Sequence, residues 1–323
     1  MNTALYAAAA LAAALVTTGS LPFWRSWCRR TRHVDDPGLR KIHENPIPLA
    51  GGLAMLTGLV VPLLVSIVAV NLRWLDAESV ERLQHGFGTR AVQLAAIFGG
   101  AFGMTFLGWV DDRYELRAST KFTGQLVIAA LVAGSGIRIT LFVPSALFSF
   151  AITLLWILAV TNAFNFLDNM NGLCAGLGAI AATTLGIKAA LLDQYLVAAT
   201  AFLVAGACLG FLPFNFPKAS VFLGDAGSHL IGFLLAVLAI LPHFHSKKHP
   251  DAWAVLTPLL VLAVPLADLV WVVVLRWRLG KPFHVGDTNH VSHRLTRRGF
   301  SRVQAVLLIW AAAAVIGTVA LWL

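Results

Sequence analysis

Two adjacent aspartates, Asp111 and Asp112, close the apolar run AIFGGAFGMTFLGWV, and Lys121 follows a few residues on. Adjacent carboxylates repel each other, and a divalent cation or a neighbouring ammonium relieves that repulsion. Lys121 can be that partner or can hold a phosphate. The plain alternative is a solvated loop that begins with acids, because structural ion pairs are common. Another carboxylate, Asp225, lies in VFLGDAGS between Gly224 and Gly227, just before a further apolar run. Glycine permits close backbone approach, and a helix N-terminus favours anions. An acid beside a phosphate site makes sense if Mg2+ bridges the two, since Mg2+ takes one or two carboxylates plus phosphate oxygens and water. The alternative is a capping Asp, which needs neither glycine.

The stretch NAFNFLDNMNGLCAG adds Asn162, Asn165, Asp168, Asn169 and Asn171 where a membrane helix would carry apolar residues. Their oxygens and amides can coordinate a hard cation or pair with a nucleobase edge. One or two such amides fit helix capping or interhelical hydrogen bonds, but four together with Asp168 strain that reading. HVGDTNHVSHRLTRRG sets His290 and His293 beside Arg294, near Arg276, Arg278, Lys281, Arg297 and Arg298. So basic a loop suits a diphosphate better than a metal, and Arg binds phosphate bidentately. A positive-inside loop with incidental histidines is the bland alternative.

The elements that must position these clusters are membrane helices. The chain has 323 residues, 58% of them hydrophobic and only 12% charged, whereas a soluble domain is roughly 45–50% apolar and about 25% charged. Apolar runs recur from end to end without a Ser/Pro-rich linker, so residues 1–323 are read as a single integral-membrane domain. The expected fold is an all-α polytopic bundle of about ten spans. They fall near 3–24, 49–70, 91–110, 121–136, 146–163, 173–190, 194–212, 227–243, 253–275 and 303–322. The first apolar stretch lacks a preceding basic residue, which a cleavable signal peptide requires. With both termini outside, the inner loops and adjoining span ends carry roughly 17 of the 24 Lys and Arg residues, as the positive-inside rule expects. The net charge of +9 is thereby explained without a nucleic-acid partner. All four polar clusters then fall on the inner face. The three cysteines, Cys28, Cys174 and Cys208, are scattered and support neither a disulfide framework nor a zinc site.

In this order the clusters resemble the polyprenyl-phosphate N-acetylhexosamine-1-phosphate transferase family, and the resemblance covers nearly the whole chain. RKIHENPIPLAGG (40–52) is similar to the family's basic-then-P-x-x-GG loop, and GWVDDRYELRASTKFTGQ to its DD motif with a downstream Lys. NAFNFLDNMNGL resembles N-x-x-N-x-x-D-G-x-D-G-L, FLGDAGS resembles F-x-GD-x-GS, and NHVSHRL resembles N-H-x-H-H-R-L. The resemblance implies a transferase at the cytoplasmic face of the inner (plasma) membrane. It would move a sugar 1-phosphate, GlcNAc-1-phosphate first among candidates, from a UDP-N-acetylhexosamine to undecaprenyl phosphate, releasing UMP. It implies Mg2+, with Mn2+ as a substitute, held by Asp225 and Asn165. Phe222 would stack on uracil, and Asn171, Asp168 and Asn215 would line the uridine pocket. Asp111 and Asp112 would stand by the lipid phosphate, while Lys121, Arg276, His290, His293 and Arg294 would neutralise phosphates. Catalysis would therefore rest on Asp111, Asp112, Asp225 and Lys121, by direct attack of the lipid phosphate rather than through a covalent aspartyl intermediate. Membrane lipids are further partners, and a homodimer is compatible with the sequence.

The sequence departs from these patterns at four positions. Asn169 and Asn171 stand where bacterial members carry Gly and Asp. Ser292 replaces a His, and Thr288 replaces the Arg common after Asp287. The His motif is nearer the GlcNAc type than the phospho-N-acetylmuramoyl-pentapeptide type, which remains the alternative substrate class. From other classes, a secondary transporter would need midplane sites and repeated halves, which the sequence lacks. An inactive lipid-binding relative would have no use for Asp111, Asp112, Asn165 and Asp225.

Overall fold

A computed structural model describes residues 3–36, 45–72, 74, 88, 90–141, 143–242, 244, 252–282 and 287–323. Residues 40–44 of the first motif, His284 to Gly286 of the His loop and residue 243 of the eighth expected span lie outside the described residues. In chain order the elements begin with α1 (Thr3–Arg30), β1 (Val34–Asp35), β2 (Ile47–Pro48) and α2 (Gly51–Asn71). Next come α3 (Ala91–Tyr114), α4 (Ala118–Gly134), α5 (Ala146–Leu167), α6 (Leu173–Leu191), α7 (Tyr195–Asn215) and α8 (Gly224–Leu238). A 3-10 turn (Ala252–Leu256) then leads into α9 (Thr257–Val261), α10 (Ala263–Arg278), α11 (Val291–Arg297) and α12 (Arg302–Leu321). The only sheet among the described residues is the antiparallel β1–β2 pair.

Each of the ten expected spans coincides with helix, but the described helices do not all have membrane-crossing length. Seven are long and apolar enough, and the broken helix α9–α10, bent by 70°, brings the number to eight. The other two, α4 with 17 residues and α8 with 15, are shorter. At 1.5 Å per residue, α8 covers about 22 Å of a hydrocarbon core about 30 Å thick. Both short helices begin in the polar motifs, with Lys121 and Asp225 in their first turns.

Side-chain size decides how the bundle closes. α1 lies along α7, where Gly206 and Gly210 have no room for a Cβ against the backbone of Ala10 and Ala14. Small residues four apart on both helices permit that approach, which drives helix association in lipid. α8 runs between α2, α3, α5 and α6. Every residue of α8 is buried except Asp225. A helix apolar all round belongs at the centre of a bundle, so the sequence HLIGFLLAVL fixes α8 there and leaves its acidic end as the exposed tip.

Two backbone contacts set the depth of that tip. The segment before α8 pairs with the start of α2. Phe222 N–H donates to Pro48 O at 2.9 Å, while Gly51 and Gly52 N–H donate to Phe222 O and Leu223 O at 3.0 and 3.1 Å. On the α3 side, a Cβ on Gly108 would collide with the Asp225 carbonyl. Gly108→Val must therefore push α3 from α8, at a cost of about 1–3 kcal/mol. A lowered thermal midpoint in detergent is expected, and an unchanged midpoint would show that the helices do not approach this closely.

Candidate active site

The C-terminal end of α3, the first turn of α4, the C-terminal end of α5 and the N-terminus of α8 meet at one point. Lys121 occupies it. Its Nζ lies 2.5 Å from Asp225 Oδ2 and 2.8 Å from Asp111 Oδ2, and donates to Asn165 Oδ1 at 3.2 Å. Asn165 turns its Nδ2 the other way, donating to Asp225 Oδ1 at 2.8 Å and to Ser228 Oγ at 3.0 Å. Three oxygens from three helices thus converge on one ammonium.

The paired aspartates divide their work. Asp111 Oδ1 accepts from Leu116 N–H at 2.8 Å, which leaves Oδ2 for Lys121. Asp112 turns to α8, whose N-cap residue Leu223 supplies no side-chain cap. Its two oxygens accept the N–H groups of Asp225 at 2.7 Å and Ala226 at 3.1 Å. A helix N-terminus carries unpaired donors and partial positive charge, and Asp112 answers both from 113 residues away in the chain. Gly224 turns the chain there at φ +72°, and a Cβ on it would stand 2.6 Å from Asp112 Oδ2. Asp112 therefore positions Asp225 through its backbone.

The loop after α5 is tied down on both sides. Asn169 Nδ2 donates to Phe166 O at 2.8 Å, and Asn171 Nδ2 to Pro217 O at 3.2 Å. Asn215 is buried, with Oδ1 accepting Gly172 N–H at 2.6 Å and Nδ2 donating to Val221 O at 3.0 Å. Both ends of its amide thus bind backbone, joining the α5–α6 loop to the segment that leads into α8. Burial, and then the charge of Asp225, push the Asp168 carboxyl up to about 8.

The basic loop packs on the end of α5, at Phe166 and Asn169. Arg276, only 1% exposed, lies 5.2 Å from the Phe166 ring centroid and donates through Nε to Asp287 Oδ2 at 3.0 Å. Partial burial opposes ionisation of Asp287, but Arg276 and the Asn289 amide outweigh it and hold the carboxyl at about 2. His290 meets the same Phe166 ring edge-on at 6.1 Å. Its Nδ1 lies 2.6 Å from Asp268 Oδ2, and Asp268 Oδ1 accepts Val291 N–H at 2.7 Å. His293 is pushed below its usual range by burial first, then by His290, Arg302 and Arg297. The Arg294 guanidinium lies over Trp271, 4.4 Å from the ring centroid. Thr288, in place of the expected Arg, receives a different cation, because Arg297 donates to its carbonyl at 2.7 Å.

The four sequence clusters therefore do come together. Asp111, Lys121, Asn165 and Asp225 form the centre, Asp112 sits behind it, and Arg276 and His290 pack on Phe166, the residue that follows Asn165 in the chain. Asp268 was not among the expected residues. It is an ionisable residue inside the apolar run LLVLAVPLADLVWVVVL, and such residues mark function or a buried partner. Ser228, the Ser of the F-x-GD-x-GS pattern, also gains a role through Asn165.

A membrane-embedded helical bundle with a Lys–Asp–Asn centre at one end of its helices is the class that fold and site define. Residues 94–243 match the family model described as glycosyl transferase family 4. One relative is "Probable undecaprenyl-phosphate N-acetylglucosaminyl 1-phosphate transferase" of Bacillus subtilis (strain 168). It is 31% identical over 86% of this chain and 73% of its own length. "Decaprenyl-phosphate N-acetylglucosaminephosphotransferase" of Mycobacterium tuberculosis (strain ATCC 25618 / H37Rv) is 34% identical, over 93% of this chain and 78% of its own. "Undecaprenyl-phosphate alpha-N-acetylglucosaminyl 1-phosphate transferase" of Escherichia coli (strain K12) is 28% identical, over 94% and 80%. The chain belongs to glycosyl transferase family 4, among the polyprenyl-phosphate N-acetylhexosamine-1-phosphate transferases.

Asp268 provides a test of this construction. Asp268→Ala leaves a buried His290 and a buried N–H without an acceptor, a loss of about 3–5 kcal/mol for a broken buried pair. Asp268→Asn, which keeps one acceptor, is expected to lose less than half as much in denaturant unfolding of the micellar protein. Equal losses for the two would mean that Asp268 does not hold His290.

Proposed function

We propose that this chain transfers GlcNAc 1-phosphate from UDP-GlcNAc to a polyprenyl phosphate, undecaprenyl phosphate first among them, at the cytoplasmic face of the plasma membrane. The carrying observation is the convergence of Asp111, Asn165 and Asp225 on the Lys121 ammonium. A lipid-phosphate oxygen forms a bond to the phosphorus that bears the sugar. The bond from that phosphorus to the bridging oxygen breaks, and UMP leaves with the electron pair. Both reactants are anions, so the protein's task is to position them and neutralise charge.

The residues divide accordingly. Lys121 offsets the charge of the meeting phosphates while Asp111 and Asp225 hold its ammonium in place. Arg276, His290, His293 and Arg294 supply further cationic or donor groups to the diphosphate. Phe222, Asn171 and Asp168 form the uridine side, with Asn215 bracing the loops behind them. The lipid phosphate is already a competent nucleophile, which favours direct attack over an aspartyl intermediate.

The donor set fits Mg2+. Asp225, Asp111 and Asn165 offer only hard oxygens. Asp225 and Asn165 are the residues that would hold it, with Mn2+ as a substitute. When bound, the ion would polarise the diphosphate and stabilise charge on the departing oxygen.

The lipid tail needs a route from the bilayer. One face of α10, formed by Leu266, Ala267, Val270, Trp271 and Val274, is a shallow apolar surface open to the outside. Trp271 on that face lies under Arg294, which puts a cation beside an apolar surface that an acyl chain can follow. Counting α4 and α8 as short spans gives ten crossings, with both termini outside and the basic loops in the cytoplasm, in line with the distribution of Lys and Arg.

The expected outcome is UMP release by the detergent-solubilised protein only with undecaprenyl phosphate, Mg2+ and UDP-GlcNAc together. Asp225→Ala should reduce it by at least about a hundredfold. UMP release without lipid, or undiminished in Asp225→Ala, would refute the assignment.

A further inference from the structure

We infer that Asn169 and Ser292 act as one positioning pair that sets the place of α11, and with it His290 and His293, against the sugar-nucleotide diphosphate; this rests on the transferase reading above. The two residues are 123 positions apart, in the loop after α5 and in the first turn of α11. Ser292 Oγ donates to Asn169 Oδ1 at 2.6 Å. Ser292 is fully buried, so the hydroxyl depends on this acceptor. Asn169 is oriented to provide it, because its Nδ2 is already engaged by Phe166 O at 2.8 Å.

The link lies at a sensitive place. Phe166, whose carbonyl anchors Asn169, is the ring between Arg276 and His290. The short helix α11 follows His290 directly, and its seven residues include Ser292, His293 and Arg294. Two polar ties hold its first turn: Asp268 binds Val291 N–H from α10, and Asn169 binds Ser292 from the α5–α6 loop. The first tie fixes the helix to the bundle, and the second fixes it to the loop that carries Asp168 and Asn171. Loss of the second tie frees the cationic residues from the uridine side.

These are also two of the four positions at which the chain departs from the motif patterns. The patterns put Gly where Asn169 stands and His where Ser292 stands. Gly with His and Asn with Ser contain the same number of side-chain heavy atoms. The larger group has moved from α11 to the facing loop, as a volume-conserving exchange across one contact requires. Neither substitution fits alone: a His at 292 would meet the Asn169 side chain, and a Gly at 169 would leave the buried Ser292 hydroxyl without an acceptor. The departures are thus one compensated change, not two lesions.

The test is a double-mutant cycle with the detergent-solubilised enzyme, reading KM for UDP-GlcNAc and the thermal midpoint. Ser292→Ala should raise KM about tenfold, while Ser292→Thr, which keeps the hydroxyl, should stay within about threefold of wild type. Ser292→His should be worse than Ser292→Ala, and adding Asn169→Gly should bring KM back to within about threefold. A merely structural defect lowers the active fraction and leaves KM alone. An unchanged KM in Ser292→Ala, or an Asn169→Gly/Ser292→His protein no better than Ser292→His, would overturn the inference. If Ser292→His does not fold, recovery of folded protein in the double variant supports the pair and failure to recover refutes it. If the wild type releases no UMP from UDP-GlcNAc, the transferase reading fails, and the thermal cycle decides the pair alone. Coupled midpoints then support it and additive ones refute it.

Discussion

A lysine ammonium between two carboxylates and an amide oxygen holds this structure's working end together. Asp111 ends α3, Lys121 stands in the first turn of α4, Asn165 ends α5 and Asp225 begins α8. Each is anchored on a different helix, and their charges would repel or remain uncompensated without the others. Isolated charges at the end of a buried helix are costly unless paired. The cluster satisfies that requirement while keeping Asp225 the only accessible residue of α8. The same balance gathers opposite charges at one point, with Lys121 paired to both Asp111 and Asp225.

The rest of the fold makes that meeting precise. Small residues allow α1 and α7 to touch, and Gly108 lets α3 press on the turn that holds Asp225. Asp112 then acts through the backbone, capping α8 so that the Asp225 carboxylate is presented at a fixed height. On the far side, Phe166 separates Arg276 from His290, Asp268 orients His290, and the Asn169–Ser292 hydrogen bond joins this basic lobe to the amide-rich loop. Family membership rests on the relatives, and the geometry adds a cluster of opposite charges where four helices meet.

Much of this was legible in the sequence. Apolar runs of membrane length mark the helices, and the polar motifs mark the residues that meet around Lys121. What escaped were the starts of α4 and α8, which begin at Ala118 and Gly224, before the apolar runs do, since hydropathy does not register a polar first turn. Asp268 escaped because no periodicity distinguishes a buried partner from a chance acid. The separate duties of Asp111 and Asp112 were also invisible, because a DD dipeptide does not show which way each carboxylate faces. Asn215 also braces two loops through its amide, a role whose partner lies 43 residues away in the chain. In the sequence Ser292 and Asn169 are two separate departures, 123 residues apart, and only their hydrogen bond joins them.

The most direct test of the account is the turnover of Lys121→Met, measured as UMP release at saturating Mg2+, lipid and UDP-GlcNAc beside its thermal midpoint. Methionine keeps the stem and removes the charge. The account predicts a loss of turnover of about a hundredfold or more in protein that still unfolds cooperatively. Turnover within about threefold of wild type would contradict it, because the ammonium on which three helices converge would then have no part in the reaction.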